Sequence, residues 1–518
     1  MLSSFARPAV RRTQNVRTII AVLSFCGLAI SLQQTSLVPA LADLHHTLDT
    51  TPENASWVVT VTLLTSAVSM PIISRLADMF GKRKMLVLSL AFVTIGSIVG
   101  AIGGSLFMVL LGRGLQGLSF AIVPVGISVM RDLLPKERIG AAVGMMSATM
   151  GIGGAIGPPL GGFVYSNLGL NMVFVLSAVV GVILLVLILL VVEESTIRSP
   201  GRVDYVGSLL LSAAMLALLL AISKGSTWGW GSGVTIGLFV ASAVILVGWI
   251  PFELRRTDPL VDLRTMSRRP VMLTNIATVL IGFSMFGQML GAMQMLTLPE
   301  GPGAGFGVSP AQAGLFLLPS GVLMVALAPV SAIISHRRGA KVTLITGGLL
   351  IAVGYLLMVF TGRSLVLLLI AICLSSSGVA LAYAALPTLI MRAVPVTETA
   401  SANGLNALLR SVGTSCSSAV VAMILAAEVI EVDGTEVPTD HAFRLIFAAS
   451  MFAAIAGTLV AFALPKHRAD LSDEAAFTEV EDPGAEFDAP QTAAERVELA
   501  HRHDGSDEAL ADRPAGKA

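Results

Sequence analysis

Charge is what this sequence has least of, and its acidic part is missing where a membrane protein would use it. Only 13% of the 518 residues are charged while 54% are hydrophobic, and no single water-exposed core could bury that much apolar surface. Lipid must solvate most of the chain. No Asp or Glu falls deep inside an apolar run; Asp43, Glu53, Asp78, Asp132 and Glu428 come nearest, and all lie near run ends. An intramembrane enzyme would need a titratable cluster at depth, so no enzyme activity is expected. Cysteine is limited to Cys26, Cys373 and Cys416, each inside an apolar run without pairing or metal spacing, which leaves no disulfide framework or thiolate metal centre. His45 and His46 adjoin without further ligands and read as part of a polar loop, so no metal is expected.

What the sequence does hold is long apolar runs. About fourteen, each of roughly twenty residues, recur between short clusters of charged, Gly, Pro or Asn residues, as spanning helices require. They lie near 17–41, 55–76, 85–104, 106–130, 139–163, 170–192, 204–223, 233–252, 271–297, 311–335, 341–361, 364–389, 400–427 and 442–465. Alternate connections, among them "SRLADMFGKRK", "RDLLPKER", "ELRRTDPLVDLRTMSRR" and "SHRRGAK", hold roughly two dozen basic residues, against about three in the others (Lys224, Arg363 and Arg444). "LHHTLDTTPENAS" and "GPGAGFGVSP" contain none. This bias predicts a multi-pass protein of the cell membrane with both termini cytoplasmic, and puts Trp228 and Trp230 at the outer interface. The basic start, the first run and "ALA" at 40–42 share features of a secretory signal, but the run is long and leads straight into further spans.

The chain also echoes itself. "PIISRLADMFGKRK" (71–84) resembles "PVSAIISHRRGAK" (329–341), with Pro71 on Pro329 and Gly81 on Gly339, and "MRDLLPKERIGAAVG" (130–144) resembles "MRAVPVTETASANG" (391–404). The echoes predict an all-α integral membrane fold of two six-helix bundles in parallel repeat with two inserted helices. The expected divisions are a cytoplasmic tail at 1–16, the bundles at 17–192 and 271–465, the inserted region at 193–270 and an acidic, disordered tail at 466–518.

Three stretches carry the chemistry. "SRLADMFGKRK" holds Asp78 and Gly81 ahead of a Lys-Arg-Lys run. "LLGRGLQG" puts Arg113 inside the fourth run with Gln116 and Gly117 at fixed spacing, and an Arg at that depth is costly enough to suggest function. "GMMSATMGIGGAIGPPLGG" sets glycines at three- and four-residue intervals, Gly153, Gly157 and Gly161 among them, beside Pro158, Pro159 and Gly162. That is a close-packing face on a helix the prolines should kink. All three resemble signatures of the major facilitator superfamily, the third its exporters' antiporter signature. Together with "VDYVGSLLLSAAMLALLLAISKGSTWGW", "DPLVDLRTMSRRP", "AGLFLLPSG" and "SANGLNALLRSVG", they resemble the fourteen-helix drug:proton antiporter group.

The resemblance implies alternating access, with Arg113, Gln116 and Gly117 coupling transport to its driving force. It implies that Asp78 and Gly81 join the two halves, with Arg131 or Arg138 as the partner of Asp78, and that the glycine-rich helix seals the pathway. The expected activity is export of amphipathic small molecules, driven by a proton gradient and with no cofactor; carriage of one defined metabolite, inward or outward, is the alternative, and a channel would not need two repeated bundles. Lipid bilayer and small-molecule substrate are the expected partners, with no nucleic acid, and a monomer is the expected state. The chain departs from the group in three places. Ser74 stands at the usual first Gly of the Asp78 signature, His336 stands where the second copy would carry Asp, and Gln33 stands where the first span usually carries a proton-binding Asp. Gln33 and Gln34 offer hydrogen bonds without titrating. Further pathway candidates are Asn275, Gln288 and Gln294 in the ninth run and Asn403, Asn406 and Arg410 in the thirteenth, with Met285, Met289, Met293 and Met295 around Gln288.

Overall fold

The computed structural model describes residues 16–465 apart from 39, 41, 42, 200, 301–304, 361–363, 433 and 434. The expected tails, before residue 16 and from 466 onward, and Arg363 therefore lie outside the described residues. Fourteen long helices carry the rest. They are α1 Val16–Thr35, α2 Pro52–Phe80, α3 Lys82–Ile102, α4 (Leu106–Gly117 and Ile122–Leu133 joined by a 3₁₀ turn), α5 Lys136–Leu168, α6 Leu170–Val191 and α7 Tyr205–Trp228. There follow α8 Gly233–Leu254, α9 Arg269–Thr297, α10 (Pro310–Ala326 and Ala328–Arg337), α11 Ala340–Phe360, α12 Leu365–Ala393, α13 Thr399–Ala427 and α14 Asp440–Phe462. By length and composition thirteen can cross a membrane as they stand, and α5 makes fourteen when its two arms count as one span.

Local chemistry starts and stops these helices. Thr51, Ser105, Asp204, Ser232, Ser364 and Thr439 each cap a helix by accepting from a backbone N–H in its first turn, and Ser309 with Gln312 forms a full capping box. Gly81, at φ 121°, ends α2 and starts α3 within one residue, a conformation that a side chain would strain. In α5 the arms Arg138–Gly154 and Ile156–Leu168 meet at 41°. Pro158 and Pro159 lie one turn beyond the bend, where they remove the donors that would have bound the carbonyls at 154 and 155.

Helices α1–α6 and α9–α14 form two bundles. One apolar cluster joins Leu23, Leu86, Ile127, Met146 and Ile188 of the first bundle, and another joins Ile281, Leu344, Ile372 and Phe447 of the second. The inserted pair α7–α8 sits against both, through a cluster of Leu64, Leu211, Leu219, Trp249, Ile390 and Leu408. The two sequence echoes interlock in space. A Cβ on Gly144 would meet the Ala328 carbonyl oxygen at 3.2 Å, and one on Gly404 would meet that of Met70 at 2.8 Å. Gly144 and Gly404 end one echo, while Met70 and Ala328 immediately precede the other, so each bundle offers its glycine to the equivalent backbone of its partner.

Two features differ from expectation. Lys224, counted with an outer connection, lies inside α7 and is buried, its Nζ donating to Ser56 Oγ at 2.6 Å and resting 4.7 Å from the Trp57 ring centre. Its long stem buries along the helix while the ammonium finds a hydroxyl and an aromatic face. Between α13 and α14 the chain forms a small antiparallel hairpin, β1 Val429–Val432 on β2 Thr435–Pro438, which a search for twenty-residue apolar runs passes over.

Candidate transport site and inter-bundle latch

Arg113 is 1% exposed and, with Gln116, links four helices. Its Nε donates to the Val58 carbonyl of α2 at 3.3 Å, and Nη1 donates to the Gln33 carbonyl of α1 at 3.2 Å and to Gln116 Oε1 at 3.0 Å. Gln116 in turn donates to Ser97 Oγ of α3 at 2.8 Å. All the acceptors on Arg113 are neutral oxygens. They engage Nε and Nη1 without cancelling the charge, so a positive potential remains at bilayer depth, where low dielectric amplifies it. The Gln33 side chain itself is buried with neither its oxygen nor its nitrogen engaged. Gln34 beside it is half-buried.

The second cluster lies where α2 turns into α3. Asp78 is fully buried and accepts from Ala400 N at 3.2 Å, Ser401 N at 2.8 Å and Ser401 Oγ at 2.9 Å. The carboxylate of the first bundle thus occupies the N-terminus of α13 in the second, where free N–H groups and the helix dipole favour an anion. Neither expected arginine hydrogen-bonds to Asp78, although the Arg131 charge lies near enough to act on it. Arg131 donates instead to Thr399 Oγ1 at 2.6 Å and to the Val394 carbonyl at 3.4 Å, a parallel tie between the same bundles, and Arg138 is exposed at the start of α5. A helix end outcompetes an arginine here because two N–H groups and a hydroxyl already point at the carboxylate. Lys82, buried 3.9 Å from Asp78, binds Asp132 at 2.5 Å, and Asp132 also accepts from Ser195 Oγ. Glu194 accepts from Arg83 N and Lys84 N at the start of α3. Its carboxylate fills the space a Cβ on Gly81 would need, 2.8 Å away, so Gly81 is required by backbone conformation and by room.

The glycine-rich helix α5 is clasped on two sides. A Cβ on Gly153 or Gly157 would run into Ser31 or Thr35 of α1, and one on Gly161 into Ser36 just beyond it. That closeness lets Ser31 Oγ donate to the Met150 carbonyl at 2.6 Å and Thr35 Oγ1 to that of Gly153 at 3.0 Å. Gly162 is half-buried. Facing the other bundle, Gly151 abuts Met324, and Gly314 of α10 abuts the Pro159 ring. Gly153, Gly157 and Gly161 therefore seat α5 within its own bundle, while Gly144, Gly151 and Pro159 meet the partner. Gly157→Ala is expected to destabilise by about 1–3 kcal/mol through this overpacking, read as a lowered melting temperature in detergent. Gly154→Ala, with nothing within 4 Å of that position, is expected to be neutral or slightly stabilising.

The remaining polar candidates divide by what they bind. Asn406 donates to Asn275 Oδ1 at 2.9 Å and to Thr278 Oγ1 at 2.7 Å, locking α13 to α9. Asn403 turns back on its own helix to the Thr399 carbonyl. Gln288 donates to Ser376 Oγ of α12 at 2.9 Å and keeps its oxygen unengaged. Arg410 and Gln294 are half-buried, and the Arg410 guanidinium sits 5.1 Å from the Tyr383 ring centre. The Tyr383 backbone carbonyl accepts from Ser147 of α5, across the bundle interface.

A family model described as Major Facilitator Superfamily matches residues 23–418, and again 276–502. The chain belongs to the major facilitator superfamily. As such it is a multi-pass secondary transporter that moves small molecules across the bilayer. A superfamily member named multidrug resistance protein Stp, from Mycobacterium tuberculosis, is 30% identical over 418 residues, covering 79% of this chain and 76% of that one. The tetracenomycin C resistance and export protein of Streptomyces glaucescens is 30% identical over 325 residues, 62% of this chain and 59% of its own. The crystal structure of the human organic anion transporter MFSD10 (TETRAN) covers 88% of this chain and 100% of that one with a TM-score of 0.61 at 16% identity, a likeness of fold alone.

Reading the superfamily signatures in sequence finds Arg113, Gln116 and Asp78 but misses their counterparts. Ser401, Thr399, Asp132 and Glu194 are ordinary polar residues near run ends, and only the folded chain brings them to the latch. In the folded chain the start of α13 has no side-chain cap of its own, and Asp78 supplies the acceptor.

Proposed function

We propose that this transporter exports amphipathic small molecules in the manner of a multidrug efflux pump, driven by the proton gradient, with both termini cytoplasmic and the monomer as the working unit. The observation that carries the reading is Arg113, a buried cation held by neutral oxygens next to an unengaged Gln33 side chain. Its field changes the affinity of the nearby pathway for charged ligands, and any carboxylate or substrate charge that approaches would shift its energy. The names of the two relatives, both resistance proteins and one an export protein, support the outward direction. In this orientation the basic connections lie inside, and the Asp78–Ser401 and Arg131–Thr399 ties close the cytoplasmic end. Breaking them opens the pathway inward to load substrate; re-forming them, while the Pro159–Gly314 contact parts, opens it outward.

Growth inhibition by a panel of chemically unrelated amphipathic toxins, in cells with and without the gene, tests the breadth of transport. Several-fold protection against several compounds is expected, whereas protection against one alone would assign a defined substrate. The Gln33→Asp variant tests the coupling. It puts a carboxylate on the residue whose carbonyl lies 3.2 Å from Arg113 Nη1, and a shifted pH profile of transport is expected; an unchanged profile would make the position structural.

A further inference from the structure

The inserted pair contains two acidic side chains that the transport cycle described above does not use. Asp204 caps α7 and Glu253 lies in the last turn of α8, and they are 8% and 2% exposed. Each carboxyl has one satisfied oxygen. Asp204 Oδ1 accepts from Gly207 N at 2.9 Å and has Arg256 Nε at 4.0 Å, while Glu253 Oε1 accepts from Val261 N at 2.9 Å. The other two oxygens, Asp204 Oδ2 and Glu253 Oε2, are buried with no donor. They converge on one place: a Cβ on Gly207 would collide with both, and the two carboxyls are within hydrogen-bonding reach of each other. Trp249 Nε1, donating to the Gly207 carbonyl at 3.0 Å, closes the pocket beside them.

We propose that Asp204 and Glu253 form a proton-binding site at the root of the inserted hairpin, one proton being shared between Asp204 Oδ2 and Glu253 Oε2. Two buried carboxylates facing each other without a donor repel, and a single proton turns that repulsion into a short hydrogen bond, the arrangement of an acid dyad. The glycine at 207 is what allows the approach. Arg256, half-exposed, supplies a positive charge to the outer oxygen of Asp204 and leaves the facing pair alone. The other charged groups around the adjoining cavity of about 210 Å³ are Arg75 of α2, Glu398 ahead of α13, and Asp258, Asp262 and Arg264 of the α8–α9 connection. Asp258 accepts from Arg202 N. For Asp262, burial acts to raise the pKa, but hydrogen bonds from Thr265 and Arg264 and the Arg264 charge outweigh it, so this carboxyl lies below its ordinary value and stays ionised. The same cavity is lined by Ser401, the partner of Asp78. Loss of the shared proton would drive Glu253 away from Asp204 and off Val261 N, loosening the α8–α9 connection beside the latch.

The site does not depend on the efflux reading, and its test uses no substrate. The purified full-length protein in lipid nanodiscs is titrated from mildly acidic to alkaline pH and followed by infrared difference spectroscopy and by melting temperature. The wild type is expected to show a protonated carboxylic-acid carbonyl band that disappears on alkalinisation, with a fall in melting temperature. In Glu253→Gln and in Asp204→Asn the band is expected to be absent and the alkaline fall flattened, because a carboxamide donates permanently where the proton did; Asn also keeps the cap on α7. A wild type with no such band, or a band unchanged in both variants, would overturn the proposal. The wild-type spectrum decides even where a variant does not fold. A protein that shows this band but protects against no toxin would retain the proton site and lose the proposed function.

Discussion

Arg113→Ala is expected to abolish transport, by a factor of about 100 or more, while the protein still reaches the membrane in normal amount. The side chain ties α4 to α1 and α2 and, through Gln116, to α3, yet stability should change less than activity. Removing it leaves Gln116 Oε1 without its donor, at roughly 1–3 kcal/mol if no replacement is found, whereas the Val58 and Gln33 carbonyls keep Thr62 Oγ1 and Ser36 Oγ. It also removes a buried charge whose insertion alone costs about 2.5–3.5 kcal/mol, and the two effects oppose each other. Arg113→Lys separates charge from geometry. Lysine keeps the charge but not the planar fork that reaches Val58 through Nε while Nη1 holds Gln33 and Gln116, so it too should transport poorly. Dye efflux from energised cells, normalised to membrane abundance, makes the comparison. Normal efflux by the Ala variant would remove Arg113 from the mechanism.

Asp78→Asn carries the second large effect, through the conformational equilibrium. The carboxylate receives three hydrogen bonds from the first turn of α13, and the amide replaces one acceptor oxygen with a donor that faces other donors. Bonds to a charged group contribute about 1.5–3 kcal/mol each. A net loss near 2.8 kcal/mol would shift the balance between closed and open cytoplasmic ends about 100-fold. Spin labels on cysteines at Arg138 and Val396, exposed positions on opposite bundles, read that balance in a background without the three native cysteines. The distance distribution should lengthen in Asp78→Asn, with transport falling in parallel. An unchanged distribution would show that Asp78 does not latch the bundles.

These two residues also show how far the sequence can be read. Arg113 is legible because apolar surroundings make any arginine conspicuous, and its spacing to Gln116 is specific. Asp78 is legible as a residue but not as a contact, since its partners lie more than 300 positions away and belong to a helix start. The fourteen helices follow from length and hydropathy, because lipid leaves the backbone little alternative. Burial of Lys224 and the pairing of Asp204 with Glu253 depend on how helices rotate about their axes, which hydropathy does not encode. The glycines of α5 fall between these cases: their spacing gives a face, but whether that face meets α1 or α10 is decided by packing.

Reconstitution provides the most direct measurement. Purified protein in liposomes, given an imposed pH gradient and a fluorescent lipophilic dye, is expected to accumulate the dye against its own gradient. A protonophore should collapse the accumulation, and the Arg113→Ala protein should show none. Dye distribution indistinguishable from protein-free liposomes, or accumulation that survives the protonophore, would contradict a proton-driven exporter.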